Sequence, residues 1–305
     1  MKPSRNELRG LTLLLTACVW SGCAGRNGDA HPQSRTATDR RFAFRVFDVK
    51  SIRANPTTEI AITVNRWPGN TFLLWFPETV ADVWQQWNPK VAHQDFTPTA
   101  RGGLLWTFDG NPGAFIRSEL TPQGNSLLLE TRVTNRGQQD LPMLYAQNCI
   151  HFSEAPDFLC GDFSRFFLRT GGQWRSLASL KPTASFPRYY REGYPSRGRK
   201  DATEHMFGPI RQAAAVDHPL MVLVSKDGSR AVGIASEHYE FLFHNQMEYL
   251  RCIHSESGAL PPVRPGATAV FRQKIYFVKG GLAACVAAFE KDVTGDPAGE
   301  FSFRN

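Results

Sequence analysis

Short β-prone runs separated by turn residues extend over most of the chain, and this pattern limits the folds that it can adopt. The run Ser126–Thr134 alternates apolar and polar side chains, and the turn before it, Thr121–Asn125, contains the Pro, Gly and Asn of a hairpin connection. Lys226–Ser229 joins two later runs in the same way. Because such runs recur at intervals of about ten residues, the sequence predicts an antiparallel β-sandwich.

One segment of the chain has a clear helical pattern. Gly281–Val293 is rich in Ala, and Leu282, Val286 and Phe289 recur within it at helical spacing. The predicted fold class is therefore all-β, with a short C-terminal helix packed on one edge of a sheet. Val80–Trp87 also places apolar residues on one helical face and could form a helical turn.

The N-terminus has the features of an export signal. Residues 1–10 are basic on balance, and Leu11–Ala17 is an apolar run too short to span a bilayer. It leads into Leu-Thr-Ala-Cys, which resembles a bacterial lipobox, in which the cysteine is lipidated and becomes the new N-terminus. We therefore expect a signal peptide over residues 1–17 and lipidation at Cys18. Lipidation at Cys23, or ordinary cleavage near residue 22 or 24, remains an alternative.

The segment that follows the apolar run is polar and lacks apolar periodicity. Such a composition is typical of disorder, so residues 18–41 are interpreted as a disordered tether and residues 42–305 as a single β-sandwich domain. The expected location is the bacterial cell envelope, with the lipid holding the chain to a membrane. Secretion without an anchor is the alternative.

Export would place the cysteines in an oxidising compartment. Cys149 and Cys160 flank a predicted loop and are the preferred disulfide pair, while Cys252 and Cys285 lie in apolar surroundings. Each cysteine could instead be a buried small apolar residue. The cysteine and histidine spacing does not match a zinc motif, so no metal site is predicted.

The charge and motifs exclude several classes of protein. The chain of 305 residues has a formal net charge of +7, part of which lies in the signal segment. This mild basicity favours anionic partners weakly and does not indicate nucleic acid, for which no motif is present. The chain also lacks a phosphate loop, a dinucleotide fingerprint and a G-x-S-x-G motif. We therefore expect no nucleic acid and no cofactor, and we expect a monomer.

The stretch Tyr249–Val278 has the clearest candidate chemistry. Tyr249–Ile253 is predicted to be a strand that ends on the polar residues His254, Ser255 and Glu256. A Gly- and Pro-rich turn follows, and Thr268–Val278 is predicted to be the next strand. Acid/base groups at the end of a strand are how a β-scaffold presents chemistry at its rim.

A long segment with few apolar runs, Lys181–Pro209, interleaves tyrosines with arginines. Aromatic faces stack on sugar rings, and guanidinium groups bind carboxylate or sulfate through paired hydrogen bonds. Arg188, Tyr190, Arg191 and Tyr194 are therefore candidate contacts to a carbohydrate, including an anionic glycan. The alternative is a solvated loop whose tyrosines pack on the sandwich.

Two segments together resemble the galactose mutarotase (aldose 1-epimerase) family. LLLETRVTNRGQQDLPMLYAQNCIHF, starting at Leu127, is similar to a strand of that family, its V-T-N turn and the strand that follows. RCIHSES, starting at Arg251, with the later VRPGATAVFRQKIYF, is similar to the family's C-L-E-T-Q strand and L-K-P-G-E segment. The resemblance covers about a quarter of the chain and implies an antiparallel supersandwich with a sugar-binding concave face.

The resemblance also implies particular site residues. Asn148 and His151 would contact the sugar on the concave face. The family's catalytic Glu directly follows the C-L pair, whereas here Cys252-Ile253 is followed by His254, and Glu256 comes two residues later. The candidate catalytic residues are therefore His254, Glu256 and His151.

These residue types suit mutarotation, which needs one group to remove the anomeric hydroxyl proton and another to protonate the ring oxygen. The hypothesis requires the three side chains to share one face within about 10 Å of one another. The same two imidazoles and carboxylate could instead bind a divalent metal. The sequence is also compatible with a glycan-binding protein without catalysis and with a structural protein of the cell envelope.

Overall fold

Antiparallel strands account for most of the regular structure of the protein. The computed structural model describes residues 36–38, 41–50, 56–82, 86–87, 94–110, 113–141, 144–181, 188–192, 214–245, 251–295 and 301–304. The predicted signal peptide, Cys18, Cys23 and Tyr194 lie outside these residues. The described residues belong to one unit, Ser34–Asn305.

The strands follow one another along the chain as short, mostly hairpin-connected segments. In chain order they are β1 Thr36–Thr38, β2 Phe42–Lys50, β3 Pro56–Val64, β4 Thr71–Asp82, β5 Gln86–Trp87, β6 Thr97–Pro98, β7 Leu104–Gly110, β8 Ala114–Gln123, β9 Ser126–Asn135, β10 Leu144–His151, β11 Phe166–Thr170, β12 Gln173–Ser176, β13 Arg188–Tyr190, β14 Met221–Val224, β15 Arg230–Ser236, β16 Tyr239–His244, β17 Cys252–Leu260, β18 Thr268–Lys279, β19 Val293–Gly295 and β20 Phe301–Phe303.

The described helices are few and short. They are a 3-10 turn at Pro156–Phe158, α1 at Leu177–Leu180 and α2 at Gly281–Asp292. In the described part of the chain, none has the length and apolar character needed to cross a membrane.

Two nine-stranded sheets form the fold. The first sheet has the order β1-β2-β3-β4-β10-β17-β16-β13, with β5 paired to β4. The second sheet has the order β12-β11-β14-β15-β18-β9-β8-β7-β6, and β19 and β20 form a separate pair. The strand ladders are antiparallel, which confirms the predicted all-β sandwich. The predicted hairpin turns after β8 and β14 are also present.

Aromatic side chains fill the space between the sheets. Phe72 of the first sheet is fully buried and contacts the ring of Phe277 of the second sheet at 5.2 Å between centroids. The rings of Trp67, Phe152 and Phe158 surround it. Because full burial of a Phe side chain stabilises a fold by about 1.5–3 kcal/mol, this cluster holds the two sheets together.

Helix α2 confirms the predicted C-terminal helix, but its position differs from the prediction. It packs on β14, β15 and β18, and so covers part of a sheet face rather than an edge. Tyr276 Oη donates to Asp292 at 3.1 Å, and Lys274 Nζ lies 2.6 Å from the same carboxylate. Gly233 permits this close approach, since a Cβ there would lie 2.6 Å from Cys285 Sγ.

Two local predictions are wrong. Thr36–Thr38 forms β1 and pairs with β2, so the ordered sheet begins inside the predicted tether. The predicted helical turn at Val80–Trp87 is instead part of β4, followed by β5, which pairs back on β4. Apolar residues on one helical face were a weak signal there, because pairing with neighbouring strands outweighs local spacing.

The strand with the candidate acid/base residues also differs from its prediction. It spans Cys252–Leu260, so His254 and Glu256 lie within the strand rather than at its end. Both neighbours are paired along it, with β10 on one side and β16 on the other. The candidate chemistry is therefore on the face of a central strand and not at a rim.

Candidate functional site

The register between β10 and β17 decides which side chains share a face. His151 pairs with Cys252, and Ile150 pairs with Ile253. Since side chains alternate along a strand, one side of the first sheet faces the core and the other carries polar groups. We call the second side the polar face. Its residues include Glu59, Trp75, Glu78, Gln147, Cys149, His151, Arg188, Cys252, His254 and Glu256.

One end of the polar face holds a His–Glu pair. His151 Nε2 lies 3.6 Å from Glu59 Oε1, and both side chains are buried. Trp75 Nε1 donates to the same Glu59 oxygen at 3.1 Å. His151 Nδ1 lies 3.4 Å from Ser153 Oγ. The Trp75 indole and the Glu59 carboxylate thus fix the position of the His151 ring.

A second His–Glu pair lies at the centre of the polar face. His254 Nε2 is 3.4 Å from Glu78 Oε2, and Gln147 Nε2 donates to that oxygen at 2.5 Å. The β4–β10 register shifts between Gln147 and Cys149, and this bulge brings Glu78 onto the polar face. The His254 ring stacks on Phe243 at 3.7 Å.

Two thiols lie beside the His254 imidazole. Cys252 Sγ is 3.7 Å from His254 Nε2, and Asn245 Nδ2 donates to the same sulfur at 2.8 Å. Burial alone would raise the pKa of the Cys252 thiol, but the hydrogen bond from Cys149 and the charge of His254 lower it. Burial alone would lower the pKa of His254, whereas Cys252 and Glu78 raise it above its usual value. The arrangement favours an imidazolium beside a thiolate.

Glu256 differs from the other glutamates of the polar face. Its side chain is 2% exposed, and neither carboxyl oxygen has a hydrogen-bond partner among the described residues. Burial raises its pKa well above the usual value, with the nearby charges of Glu78 and Glu240 adding to the effect and those of His254 and Arg188 opposing it. A buried carboxyl without a partner is rare in native structures and requires an explanation.

The three predicted catalytic residues share one face but do not converge. His151 lies opposite Cys252, four residues before Glu256 on β17. At about 3.3 Å per residue, His151 and Glu256 are separated by about 13 Å along the strand. The structure therefore does not bring the three predicted residues together at one point. His254 lies between the other two and pairs with Glu78.

The predicted sugar contacts divide between the two faces of the first sheet. Asn148 is misplaced in the prediction, because it faces the core and its Nδ2 donates to Gln273 Oε1 at 2.6 Å. Asn148 comes three residues before His151, and two side chains an odd number of residues apart on a strand point to opposite faces. Arg188 and Tyr190 lie on the polar face, opposite Phe243 and Phe241. Arg191 is the next residue and bonds to Glu240 through its backbone, with its guanidinium 5.9 Å from the Tyr239 ring.

The predicted disulfide between Cys149 and Cys160 is not formed. Both are buried free thiols. Cys160 Sγ donates to Asp162 Oδ1 at 3.2 Å and accepts from the Arg165 N–H at 3.4 Å. Cys149 instead lies diagonal to Cys252 on the neighbouring strand and hydrogen-bonds to its thiol. The separation of the two cysteines along the chain did not reveal this, because strand pairing and not chain distance sets which thiols meet.

Several residues of the polar face were not predicted from the sequence. Glu59, Glu78 and Gln147 each pair with a predicted or neighbouring polar group. Alternation provided a signal for part of this set, because Cys252, His254 and Glu256 follow one another at every second position, as do Gln147, Cys149 and His151. Glu78 could not be found in that way, since a bulge sets its direction.

Comparison with known proteins places the fold. A galactose mutarotase related enzyme from Lactobacillus acidophilus superposes with a TM-score of 0.50 over 82% of this chain and 98% of that one, at 8% identity. The chain has the galactose mutarotase-like fold. A quadruple mutant of the alpha-N-acetylgalactosaminidase NagBb from Bifidobacterium bifidum also gives a TM-score of 0.50, at 12% identity, over 84% of this chain and 38% of that one.

A putative aldose 1-epimerase from Escherichia coli K12 is a further structural neighbour, at 8% identity and a TM-score of 0.47, over 81% of this chain and 99% of that one. No family model matches the sequence, and no curated protein matches it. The galactose mutarotase-like fold therefore confirms the predicted supersandwich in a divergent sequence. At these identities the likeness concerns the fold, so the function has to be argued from the polar face.

Proposed function

We propose that this protein binds a carbohydrate on the polar face of the first sheet and exchanges a proton with it through Glu256, in the manner of an aldose epimerase. The observation that carries the proposal is the buried Glu256 carboxyl, whose oxygens have no hydrogen-bond partner in the described chain. A buried carboxyl needs hydrogen-bond partners, and the hydroxyl groups of a bound sugar would supply them. The proteins of similar fold named above support a carbohydrate ligand.

The electrostatics of the described polar face favour a neutral sugar. Glu59, Glu78 and Glu256 lie on it, and Arg188 is the guanidinium that the described residues place among them. Anionic glycans, the second ligand class expected from the sequence, would meet repulsion from these carboxylates. Neutral hexoses and pentoses therefore come first in a test panel, with uronic acids and sulfated sugars as the comparison.

Binding without catalysis is the second candidate function. Its specific support is that the predicted catalytic residues are spread along the strand, while His151 and His254 are each paired with a glutamate. Mutarotation needs two proton-exchanging groups, one on either side of the sugar ring. If Glu256 is the one available group, the face binds a sugar and does not accelerate its interconversion.

The two functions separate in one experiment. The purified full chain is mixed with each sugar, and NMR measures both ligand binding and the rate of anomer interconversion. Glu256→Gln should abolish both, while Glu119→Gln, on the second sheet, should leave both unchanged. Binding without faster interconversion would establish the second candidate, and a folded chain that binds none of the panel would refute a carbohydrate function.

We further propose that the protein is a lipoprotein of the bacterial cell envelope. The support is the basic N-terminus, the short apolar run and the Leu-Thr-Ala-Cys sequence before residue 19. Mass spectrometry of the mature protein from membranes should find a lipid-modified Cys18 at the N-terminus. Modification at Cys23, or an unmodified N-terminus near residue 23, would contradict this assignment.

A further inference from the structure

We infer that Cys149, Cys252 and His254 form a buried site for a thiophilic divalent metal ion such as Zn²⁺, with Glu78 as the fourth ligand. The ligand atoms of Cys149, Cys252 and His254 all lie within 4.8 Å of one another, and all three residues are buried. The metal site does not depend on the proposed carbohydrate function.

The distances suit tetrahedral coordination. An ion bound at about 2.3 Å from sulfur and about 2.1 Å from nitrogen or oxygen holds its ligand atoms roughly 3.3–3.8 Å apart. His254 Nε2 lies 3.7 Å from Cys252 Sγ and 3.4 Å from Glu78 Oε2. The distances from His254 Nε2 to one sulfur and to one oxygen are thus already close to the edge lengths of such a tetrahedron.

The donor set determines the class of metal. Two thiolates and an imidazole favour zinc and its borderline neighbours over magnesium or calcium, which prefer oxygen ligands. The surrounding hydrogen bonds also suit a metal site, because Asn245 Nδ2 donates to Cys252 Sγ at 2.8 Å and Gln147 Nε2 donates to Glu78 Oε2 at 2.5 Å. Such donors orient ligating atoms and balance their charge.

The burial of His254 makes its neighbours matter. His254 is 1% exposed, and its Nε2 is the nitrogen that faces both Cys252 Sγ and Glu78 Oε2. Burying an ionised carboxylate or thiolate costs free energy unless the charge is compensated. A divalent ion bound at Nε2 would compensate the charges of both neighbours.

The strands hold the ligands rigidly. Since Ile150 pairs with Ile253, Cys149 lies opposite His254 on the polar face, and Cys252 lies two residues before His254 on the same strand. The fourth ligand comes from the bulge of β4. Ligands on paired central strands need no loop closure to assemble, so binding should cost little rearrangement.

The same atoms permit two arrangements without a metal. Cys149 and Cys252 could oxidise to a disulfide, or Cys252 and His254 could remain a thiolate–imidazolium pair. A disulfide requires an external oxidant and removes both sulfur ligands, so reduction should be needed before metal binds. A binding experiment therefore has to distinguish the metal-bound site from the disulfide and from the thiolate–imidazolium pair.

Cobalt substitution tests the site directly. The full chain is reduced, stripped of metal with a chelator and titrated with Co²⁺ under anaerobic conditions. One equivalent should produce the near-ultraviolet thiolate-to-cobalt charge-transfer band and the intense visible bands of tetrahedral cobalt, and one equivalent of Zn²⁺ should abolish both. Glu78→Gln should weaken binding about tenfold or more.

Cysteine variants assign the ligands. Cys149→Ser and Cys252→Ser should each reduce the charge-transfer band, whereas Cys285→Ser, a buried thiol under helix α2, should leave it intact. Circular dichroism and thermal unfolding identify any variant that fails to fold, and extended X-ray absorption on the zinc-loaded wild-type chain counts the sulfur ligands without any substitution. Two sulfurs in that spectrum support the site.

A folded, reduced wild-type chain without the charge-transfer band would overturn the proposal. So would a band that survives both the Cys149 and the Cys252 substitution, since the cobalt would then be bound elsewhere. A stable Cys149–Cys252 disulfide in the chain isolated from cells, seen by mass spectrometry, would also overturn it. Because no sugar is present in these measurements, their failure and the failure of the carbohydrate proposal remain distinct.

Discussion

The polar face of the first sheet and the outward face of the second sheet arise from the same alternation of side chains. They differ in how deeply their charged side chains are buried. On the second sheet, Arg117 pairs with Glu119 at 2.6 Å, and Glu130 pairs with Arg132 and Arg272 at 2.6 and 2.8 Å. These side chains are 16–42% exposed, and all of them except Arg117 line an open groove of about 500 Å³. On the polar face, the His151–Glu59 and His254–Glu78 pairs are 1–7% exposed.

The difference shows which charges are informative. Burial would raise the pKa of Glu130, but hydrogen bonds from Arg272 and Arg132 lower it, as expected for a paired carboxylate. The pKa of Glu256 is raised, because burial dominates and no donor from the described residues reaches its carboxyl oxygens. Exposed pairs satisfy one another and add little stability, whereas a buried, unpaired group costs free energy that function has to explain.

His218 is a buried histidine beside the second sheet. It tests whether burial of a titratable group by itself lowers the stability of the fold. It is 2% exposed, with its ring beside those of Trp174 and Phe289, and burial together with Arg169 lowers its pKa to about 4, against a smaller opposing effect of Asp217. The unfolded chain takes up this proton near pH 6.5. Above pH 6.5 His218 therefore does not reduce the free energy of unfolding. As the pH falls from 6.5 toward 4, the unfolded chain takes up the proton and the free energy of unfolding decreases.

The loss should be on the order of 3 kcal/mol at pH 4. Urea unfolding of the wild-type chain and of His218→Gln across this range measures it, because the difference between the two isolates His218 from the other histidines. Glutamine retains an acceptor for the Leu220 N–H, which now donates to His218 Nδ1 at 3.3 Å. Parallel pH dependences of the two proteins would refute the assignment.

Gly233 tests how closely helix α2 covers the second sheet. A Cβ there would lie 2.6 Å from Cys285 Sγ and 2.9 Å from Leu220 Cδ1. Gly233→Ala should therefore destabilise the protein by about 2 kcal/mol through overpacking. Cys285→Ala should restore part of that loss in the double variant, as thermal unfolding of all four proteins would show. Additive effects of the two substitutions would mean that the helix does not press on this glycine.

The sequence predicted the fold better than the site because the two depend on different information. Turn residues such as Gly124 and Gly228 and the alternation in β9 are local, and they were sufficient for the sandwich and its hairpins. The site depends on register. The Asn148 error followed from overlooking alternation, whereas the position of Glu78 depends on a bulge, and the pairing of Cys149 with Cys252 depends on which strands become neighbours.

A substitution of Glu256 on the polar face should stabilise the protein, in contrast to Gly233→Ala on the second sheet. Glu256→Leu removes a buried carboxyl that has no hydrogen-bond partner among the described residues, and it keeps a similar volume. The free energy of unfolding should therefore rise by about 1–2 kcal/mol. Urea unfolding measures the change, with Glu119→Gln on the second sheet expected within about 0.5 kcal/mol of wild type. Destabilisation by Glu256→Leu would indicate that the carboxyl is satisfied in the folded protein.

The smallest effect should come from the exposed charges that the comparison treats as ordinary surface. Arg117 Nη2 lies 2.6 Å from Glu119 Oε2, with the two side chains 37% and 20% exposed. A double-mutant cycle with Arg117→Met and Glu119→Gln should give a coupling energy of about 0.5 kcal/mol at low salt. High salt should reduce it further, since partly exposed pairs are screened. A coupling that is several times larger and insensitive to salt would mean that the second sheet also holds charge in a desolvated setting, and the contrast between the two faces would then lie in pairing rather than in burial.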